Sequence, residues 1–480
     1  MSDVITQLDY IFKPRSMAVI GASDNPAKWG YQMLERPLRT GYQGQIYPVN
    51  PQSETMQGLK AYPSVLDIPG PVDLAVITVQ ANHVPGVMQQ CVDKGVRGAV
   101  LISAGFAETG PAGRKLQDEV MGIARAGGIR CVGPNGMGIW SAAGHLNNAF
   151  DEIPMDGQIA FLSQSGTFGG YLIELAASKG YGLRSFVSMG NQADLTIADY
   201  IEYLSYDEGT KAIIMYVEGV KDGRRLAEVC KAAVQRKPVI LYKGGSSAAG
   251  ARATLSHTAS IAGSGAVFED ACRQMGLIKA VEPFQTFEMA IALISQPLPP
   301  GRRIGILGTG GLGVVATDAC GRLNLEVPEL DGETSARLAK MLPKHAPLPR
   351  NPVDFAGGYR SALEETSIVE ELLKLDYIDG AISNVPISPS VWGRSVAGTL
   401  GPERMAEINR VTEAGIAQFC ALPRKYNKPV ACVRWSSDVT RDTVAPRLIA
   451  AGIPVYETPE QCARAMNALA TYAEIKRRKD

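Results

Sequence analysis

The chain has four histidines, at positions 83, 145, 257 and 345. His257 has the context that suits chemistry. It lies in Ser256-His-Thr258, after the small-residue stretch Gly244-Gly-Ser-Ser-Ala-Ala-Gly250 and before Ala259-Ser-Ile-Ala-Gly263. A loop of small residues suits the mobile presentation of an imidazole. A neutral imidazole attacks phosphorus well, and the phosphoramidate that results passes the phosphoryl group on. Such a nucleophile needs its second ring nitrogen held by an acceptor. Glu218, in Tyr216-Val-Glu-Gly219 at the end of an apolar run, supplies one if the two strand ends are neighbours. Taken singly, His257 also reads as an ordinary loop histidine and Glu218 as a surface carboxylate. No chemistry is assigned to His83, His145 or His345. The eight cysteines include no C-x-x-C pair, which argues against a zinc site and a disulfide framework. The reduced cytoplasm is the expected compartment.

Three glycine-bearing loops form the second set of candidates: Gly21-Ala-Ser-Asp-Asn-Pro-Ala-Lys-Trp-Gly30, Ser163-Gln-Ser-Gly-Thr-Phe-Gly-Gly170 and Gly308-Thr-Gly-Gly-Leu-Gly313. A glycine turn before a helix points backbone N–H groups at an anion, and the helix N-terminus adds partial positive charge. Three such loops suggest phosphate or pyrophosphate chemistry. Glycine is equally what any tight strand-to-helix turn needs. The third loop matches G-x-G-x-x-G, with Glu326 at the distance of a ribose-binding acid, which points to NAD. No hydride-transfer partner accompanies it. The first loop is too long for that spacing but suits a phosphorylated nucleotide such as coenzyme A.

Each loop follows a short apolar run, Met17–Ile20, Gln158–Leu162 and Arg303–Leu307, and precedes a helical pattern. Further strands are expected at Gln45–Val49, Leu74–Val79, Ala99–Ser103 and Arg130–Val132. After the second start come Arg184–Ser188, Ala212–Val217 and Pro238–Lys243. After the third come Leu325–Pro328, Gly380–Val385, Pro429–Trp435 and Ile453–Glu457. Helices are expected between them, among them Val84–Lys94, Gly113–Ala126, Asp222–Gln235 and Glu403–Phe419. Strand and helix alternation predicts an α/β protein of doubly wound parallel sheets, with ligands at the C-terminal ends of the strands. The 480 residues suit roughly three domains at ~150 residues each. Polar Asp151–Gly157 and Pro-rich Gln296–Arg303 mark the cuts, giving 1–150, 151–298 and 299–480.

Composition sets outer limits. Hydrophobic residues are 45% and charged residues 20%, a globular balance. Lys+Arg and Asp+Glu are both 48, so no general electrostatic hold on nucleic acid is expected. No apolar run approaches the ~20 residues that span a bilayer, and Met1–Asp9 is unlike a secretory signal. Neither membrane nor nucleic acid is expected as a partner.

Gly133-Pro-Asn-Gly136, Ser163-Gln-Ser-Gly-Thr167, Gly190-Asn191, Glu218-Gly219 and Ser256-His-Thr-Ala259 occur in this order in one chain. Together they resemble the α subunit of the nucleoside-diphosphate-forming acyl-CoA synthetases. This is the ADP-forming acetyl-CoA synthetase (acetate–CoA ligase) type, related to the succinyl-CoA synthetase α subunit. Gly308–Gly313 with Asn351-Pro-Val-Asp354 resembles the extra C-terminal ligase domain of that type. The resemblance covers nearly the whole chain. It implies a Rossmann-like CoA-binding domain followed by two flavodoxin-like CoA-ligase domains.

It also implies roles. Gly21, Ala22, Ser23 and Lys28 would lie near the CoA phosphates. Val79, Gln80 and Ala81, with Ser103, Ala104 and Gly105, would line the rest, and Asn135 would stand near the thioester. His257 would be phosphorylated and Glu218 would orient it. Ser163, Ser165, Gly166 and Thr167 would open a helix toward the phosphoryl group, and Thr309, Gly310 and Gly311 would open a second. The implied reaction has three steps. ATP phosphorylates the histidine, a carboxylate takes the phosphoryl group, and CoA attacks the acyl phosphate, with Mg²⁺ neutralising the nucleotide. The stretch Gly244–Gly250 would let the histidine loop swing between sites. No metal site is expected on this chain. Nucleotide would sit on an ATP-grasp β subunit, because every segment here is already assigned, and the resemblance implies an α₂β₂ assembly. The third loop departs from the family in lacking an Asn, and the acyl pocket has no residue-by-residue match. Two other readings stand beside this one: a non-catalytic CoA or acyl-CoA-binding protein, and an NAD(P)-dependent dehydrogenase, which leaves Ser256-His-Thr258 and Ser163–Thr167 without a role.

Overall fold

Apolar runs bounded by glycine turns become central strands, and the amphipathic stretches between them become helices. The computed structural model describes residues 3–247, 249–250, 252, 265–356, 361–386, 401–434 and 442–478. The chain divides into two units, Met1–Ala290 and Ile291–Asp480.

The first unit holds two large sheets. In the first, β1 (Ser16–Ile20), β2 (Gln45–Val49), β5 (Leu74–Ile77), β6 (Gly98–Leu101) and β7 (Arg130–Val132) run parallel in the order β2-β1-β5-β6-β7. A small hairpin of β3 (Thr55–Met56) and β4 (Leu59–Lys60) stands apart. Residues of β1 and β5 are buried throughout, as expected of strands covered on both faces. The helix Val84–Lys94 buries Val84, Met88 and Cys91, one face at helical spacing, and ends at Gly95 in the left-handed region. These side chains pack with Ala75, Ile77, Ala99 and Leu101 of the sheet. Each large apolar side chain so buried contributes about 1.5–3 kcal/mol.

The second sheet contains β8 (Ile139–Ser141), β9 (Leu146–Asn147), β10 (Asp156–Ser163), β11 (Leu183–Ser188), β12 (Ala212–Val217), β13 (Val239–Lys243) and β14 (Ile278–Ala280). Their order is β14-β13-β12-β10-β11-β8-β9. Strands β10 to β14 are parallel. Strand β8 runs antiparallel to β11, and β9 antiparallel to β8. This sheet is therefore mixed where a wholly parallel one was expected. The connection from β8 to β9 is too short for a parallel crossover, so only a hairpin can form. Buried Asn148 accepts the Ile139 N–H at 2.6 Å, and buried Asn147 accepts those of Ala149 and Phe150. These contacts fix an edge whose strands are too brief to show in the sequence.

Among the described residues the second unit has one sheet, with β15 (Ile304–Gly308), β16 (Val353–Asp354), β17 (Gly380–Asn384), β18 (Val430–Val433) and β19 (Val455–Tyr456) parallel in the order β16-β15-β17-β18-β19. The strand expected at Leu325–Pro328 is reduced to one bridge, Arg303 to Glu326. Asn351 explains the loss. Its Nδ2 donates to Ile304 O at 3.0 Å and Pro328 O at 2.9 Å, and its Oδ1 accepts from Ile306 N at 2.9 Å. A side chain thus occupies backbone groups that a paired strand would use. In all three sheets the strand order reverses beside the first central strand, between β1 and β5, β10 and β12, and β15 and β17. Those crevices are where doubly wound sheets bind ligands. No helix among the described residues is long and apolar enough to cross a membrane.

Candidate functional site

In the first unit, the C-terminal ends of both large sheets border one cavity of about 740 Å³. Its wall from the first sheet includes Thr78, Val79, Gln80, Ser103, Ala104 and Asn135. Hydrogen bonds tie these strand ends together. Ser103 Oγ donates to Val79 O at 2.5 Å, and Asn135 N donates to Ser103 O at 3.0 Å. Gly21 follows β1 with φ +91°, and a Cβ there would come within 2.7 Å of Thr78 Oγ1. Only glycine fits this turn without strain. Ala22 is buried, and its carbonyl accepts from Asn50 Nδ2 at 2.9 Å. Ser23 Oγ accepts the Asn25 N–H at 3.1 Å, so its hydroxyl already braces its own loop. Lys28 is exposed just before the helix Trp29–Arg39. Of the expected CoA contacts, Val79, Gln80, Ser103, Ala104 and Asn135 line the cavity. Gly21, Ala22, Ser23, Lys28, Ala81 and Gly105 do not, although Trp29 beside Lys28 does.

The wall from the second sheet begins with Ser165, Gly166 and Thr167. Ser165 caps the helix Gly166–Ser178, accepting the Phe168 N–H at 3.3 Å. The remaining N–H groups of a first turn have no partner within their helix, which suits them to an anion. Ser163 is buried behind this wall, and its Oγ donates to Ser165 O at 2.6 Å.

Gln164 joins β10 to β12. Its Nε2 donates to Gly219 O at 2.9 Å, and its Oε1 accepts from Gly219 N at 2.9 Å and also from Glu218 N. Sequence reasoning passed over it, because an amide between two serines carries no signal of partners far along the chain. Glu218 is buried, and its carboxylate accepts from Tyr216 Oη at 3.2 Å. Its backbone carbonyl accepts from Lys243 Nζ at 2.7 Å, which also donates to Gly244 O at 2.5 Å. Burial holds the Lys243 ammonium below the ordinary lysine range, with Glu218 acting in the opposite sense. Burial and the Glu218 charge raise the Tyr216 hydroxyl. Glu218 itself is set behind the cavity wall, where Gly219 is the lining residue. His257 lies outside the described residues, and so does any pairing of it with Glu218.

The charged part of the lining was also missed. Glu108 accepts from Asn191 Nδ2 at 2.5 Å and from the Gly105 and Phe106 N–H groups at 2.7 and 3.1 Å. Burial works against its ionisation, but these hydrogen bonds outweigh it, and the carboxyl sits below its ordinary range. Asn191 Nδ2 also donates to Gln117 Oε1 at 3.1 Å, and Lys221 Nζ donates to the Asn191 and Gln192 carbonyls at 2.7 and 2.9 Å. Burial, then the nearby charge of Arg114, lower the Lys221 ammonium. Gly190-Asn191 was visible as a motif, but its partners near residue 110 were not.

Thr309, Gly310 and Gly311 belong to the second unit, after β15. Gly310 has φ +50° and precedes the helix Gly311–Arg322. Thr309 Oγ1 and Asn384 Nδ2 are buried without hydrogen-bond partners among the described residues. Glu326 lies elsewhere than the NAD reading requires. Its backbone pairs with Arg303 and Ile304, at the start of β15. The glycine loop begins at the far end of that strand, roughly 16 Å away at the usual rise per residue. An acid there cannot hold a ribose whose phosphates sit on the loop.

Residues 15–142 match the family described as "CoA binding domain", and residues 156–293 match the "Succinyl-CoA ligase like flavodoxin domain". The chain is 38% identical over 470 residues to the acetate–CoA ligase [ADP-forming] II subunit alpha of Pyrococcus furiosus, covering 97% of this chain and 98% of that one. It is 36% identical to the corresponding I subunit alpha of the same organism, with 98% of each covered. The chain belongs to the family of ADP-forming acetate–CoA ligase alpha subunits. The fold agrees with that of the dinucleotide-forming acetyl-coenzyme A synthetase 1 of Ca. Korarchaeum cryptofilum, solved in complex with phosphate and ADP. There the TM-score is 0.84 at 32% identity, covering 98% of this chain and 97% of that one. As a member of the ADP-forming acyl-CoA ligases, the chain is an enzyme of the acid–thiol ligase class, with a Rossmann-like CoA-binding part and a flavodoxin-like ligase part. The dehydrogenase and non-catalytic readings are set aside.

Proposed function

We propose that this chain converts a small carboxylic acid and CoA into acyl-CoA, reversibly, through a phosphohistidine at His257 and an acyl phosphate. One observation carries the reading. A single cavity gathers five of the residues expected to line CoA and the N-terminus of the helix expected to face the phosphoryl group. In the forward direction a carboxylate oxygen attacks phosphorus, the P–N bond to His257 breaks, and the imidazole is freed. The CoA thiolate then attacks the acyl carbon, the C–O bond breaks, and phosphate leaves. Asn135 borders the thioester end, and the N–H groups at Gly166 and Thr167 offset the phosphoryl charge. Glu218, held by Gln164 and Tyr216, orients the imidazole.

In this reading the domains are 1–150, 151–298 and 299–480, and Thr309, Gly310 and Gly311 present a second helix N-terminus to the phosphoryl group. Gly21, Ala22, Ser23 and Lys28 hold the CoA phosphates along the β1 loop. Nucleotide is bound by a separate ATP-grasp β subunit, in an α₂β₂ assembly in the cytoplasm. Among the described residues no three His, Cys, Asp or Glu side chains converge on a metal position. In this reading Mg²⁺ enters with the partner's nucleotide, and no step on this chain is routed through it.

The test is phosphoryl labelling of the full chain with labelled phosphate, Mg²⁺ and a panel of acyl-CoAs, beside His257→Ala. Acid-labile, base-stable label on the wild type alone is the expected result, with CoA binding retained in the variant. Equal labelling of both proteins would remove His257 from the mechanism.

A further inference from the structure

We propose that Met137 sets the length of acyl chain that the cavity accepts; the inference rests on the acyl-CoA reading above. Met137 lines the cavity two residues after Asn135, half-buried. Its backbone is pinned, with its N–H donating to Ser188 Oγ at 2.8 Å. Its side chain lies against the first turn of the helix Gly166–Ser178. A Cβ added to Gly166 would come within 2.5 Å of Met137 Cγ and 2.8 Å of its Sδ, and the Thr167 hydroxyl lies 3.6 Å from the same sulfur. Glycine at 166 is thus what allows the thioether to pack against the side of the helix's first turn.

The geometry gives this contact a consequence. A carboxyl group activated at the helix N-terminus has its oxygens toward the N–H groups, so its carbon chain extends away from them. Met137 bridges that N-terminus and the Asn135 side of the cavity, so an extending chain meets its side chain. Methionine is unbranched and rotates readily, so it closes over a short chain and resists a longer one without a rigid clash. The groups placed around it, Gly166 and the Thr167 and Ser188 hydroxyls, are uncharged.

The test uses the full chain with acetyl-CoA, butyryl-CoA and succinyl-CoA, each with labelled phosphate and Mg²⁺. Met137→Ala is expected to raise the butyryl-to-acetyl ratio of labelling rates about tenfold or more, the scale on which an apolar pocket reads methylene groups. Met137→Leu, which keeps the volume, is expected to hold the wild-type ratio. Calorimetric Kd values for the same acyl-CoAs give the ratio without phosphoryl transfer. An unchanged ratio by both readouts in a folded Met137→Ala protein overturns the inference and leaves the acyl-CoA reading standing. Preferential labelling of the wild type by succinyl-CoA overturns it as well. A wild type that neither takes label from nor binds any acyl-CoA overturns the parent reading, and this inference with it.

Discussion

The amide of Gln164 joins the two strand ends on which the proposed chemistry depends. It satisfies backbone groups of Glu218 and Gly219, 54 and 55 residues further along the chain. Truncation to Ala removes the acceptor of the Glu218 and Gly219 N–H groups and the donor to the Gly219 carbonyl, each loss costing about 1–3 kcal/mol where water cannot replace the amide. Gln164→Ala should therefore lower the urea midpoint of the protein. It should also slow histidine labelling at least tenfold, because Glu218 loses its fixed position. Normal labelling in a destabilised variant would make Gln164 a purely structural tie. This residue marks a limit of sequence reading. Ser165 and Gly166 beside it were legible because capping and tight turns are local. The work of Gln164 is done on groups that only folding brings near.

Among the elements, helices and central strands were the legible part. The expected helix Val84–Lys94 has those same bounds in the structure, since its apolar spacing and terminal glycine both act within a few residues. The edges were not legible. Strands β8 and β9 are three and two residues long, and nothing in so short a stretch states which sheet it joins. At Leu325–Pro328 the apolar composition suits a strand, yet Asn351 takes the backbone groups it would have paired with. Asn351→Ala tests this account. It leaves the buried Ile306 N–H unpaired and should lower the stability of the second unit by about 1–3 kcal/mol, read by urea denaturation. A neutral outcome would mean that the neighbouring strand or water takes over those groups.

For the whole molecule, the cavity belongs to Met1–Ala290 and the G-x-G-x-x-G loop to Ile291–Asp480. CoA added to the full chain should slow amide exchange at residues 74–80, 98–104 and 163–169 and leave 304–308 and 380–384 as they were. Protection confined to the second unit would move CoA binding to its glycine loop. The sequence alone determined the repeated strand–glycine–helix plan, the parallel cores and the family motifs, because hydrophobic period, turn chemistry and motif spacing all act over short stretches. Tertiary structure decided the rest. It brought the ends of two sheets onto one cavity, linked Glu108, Gln117 and Asn191, and placed Met137 on the first turn of another helix. It also separated Glu326 from the loop whose spacing had suggested NAD. Each of these is a contact between residues far apart in the chain. Such contacts follow from how layers pack against one another, which no local pattern encodes.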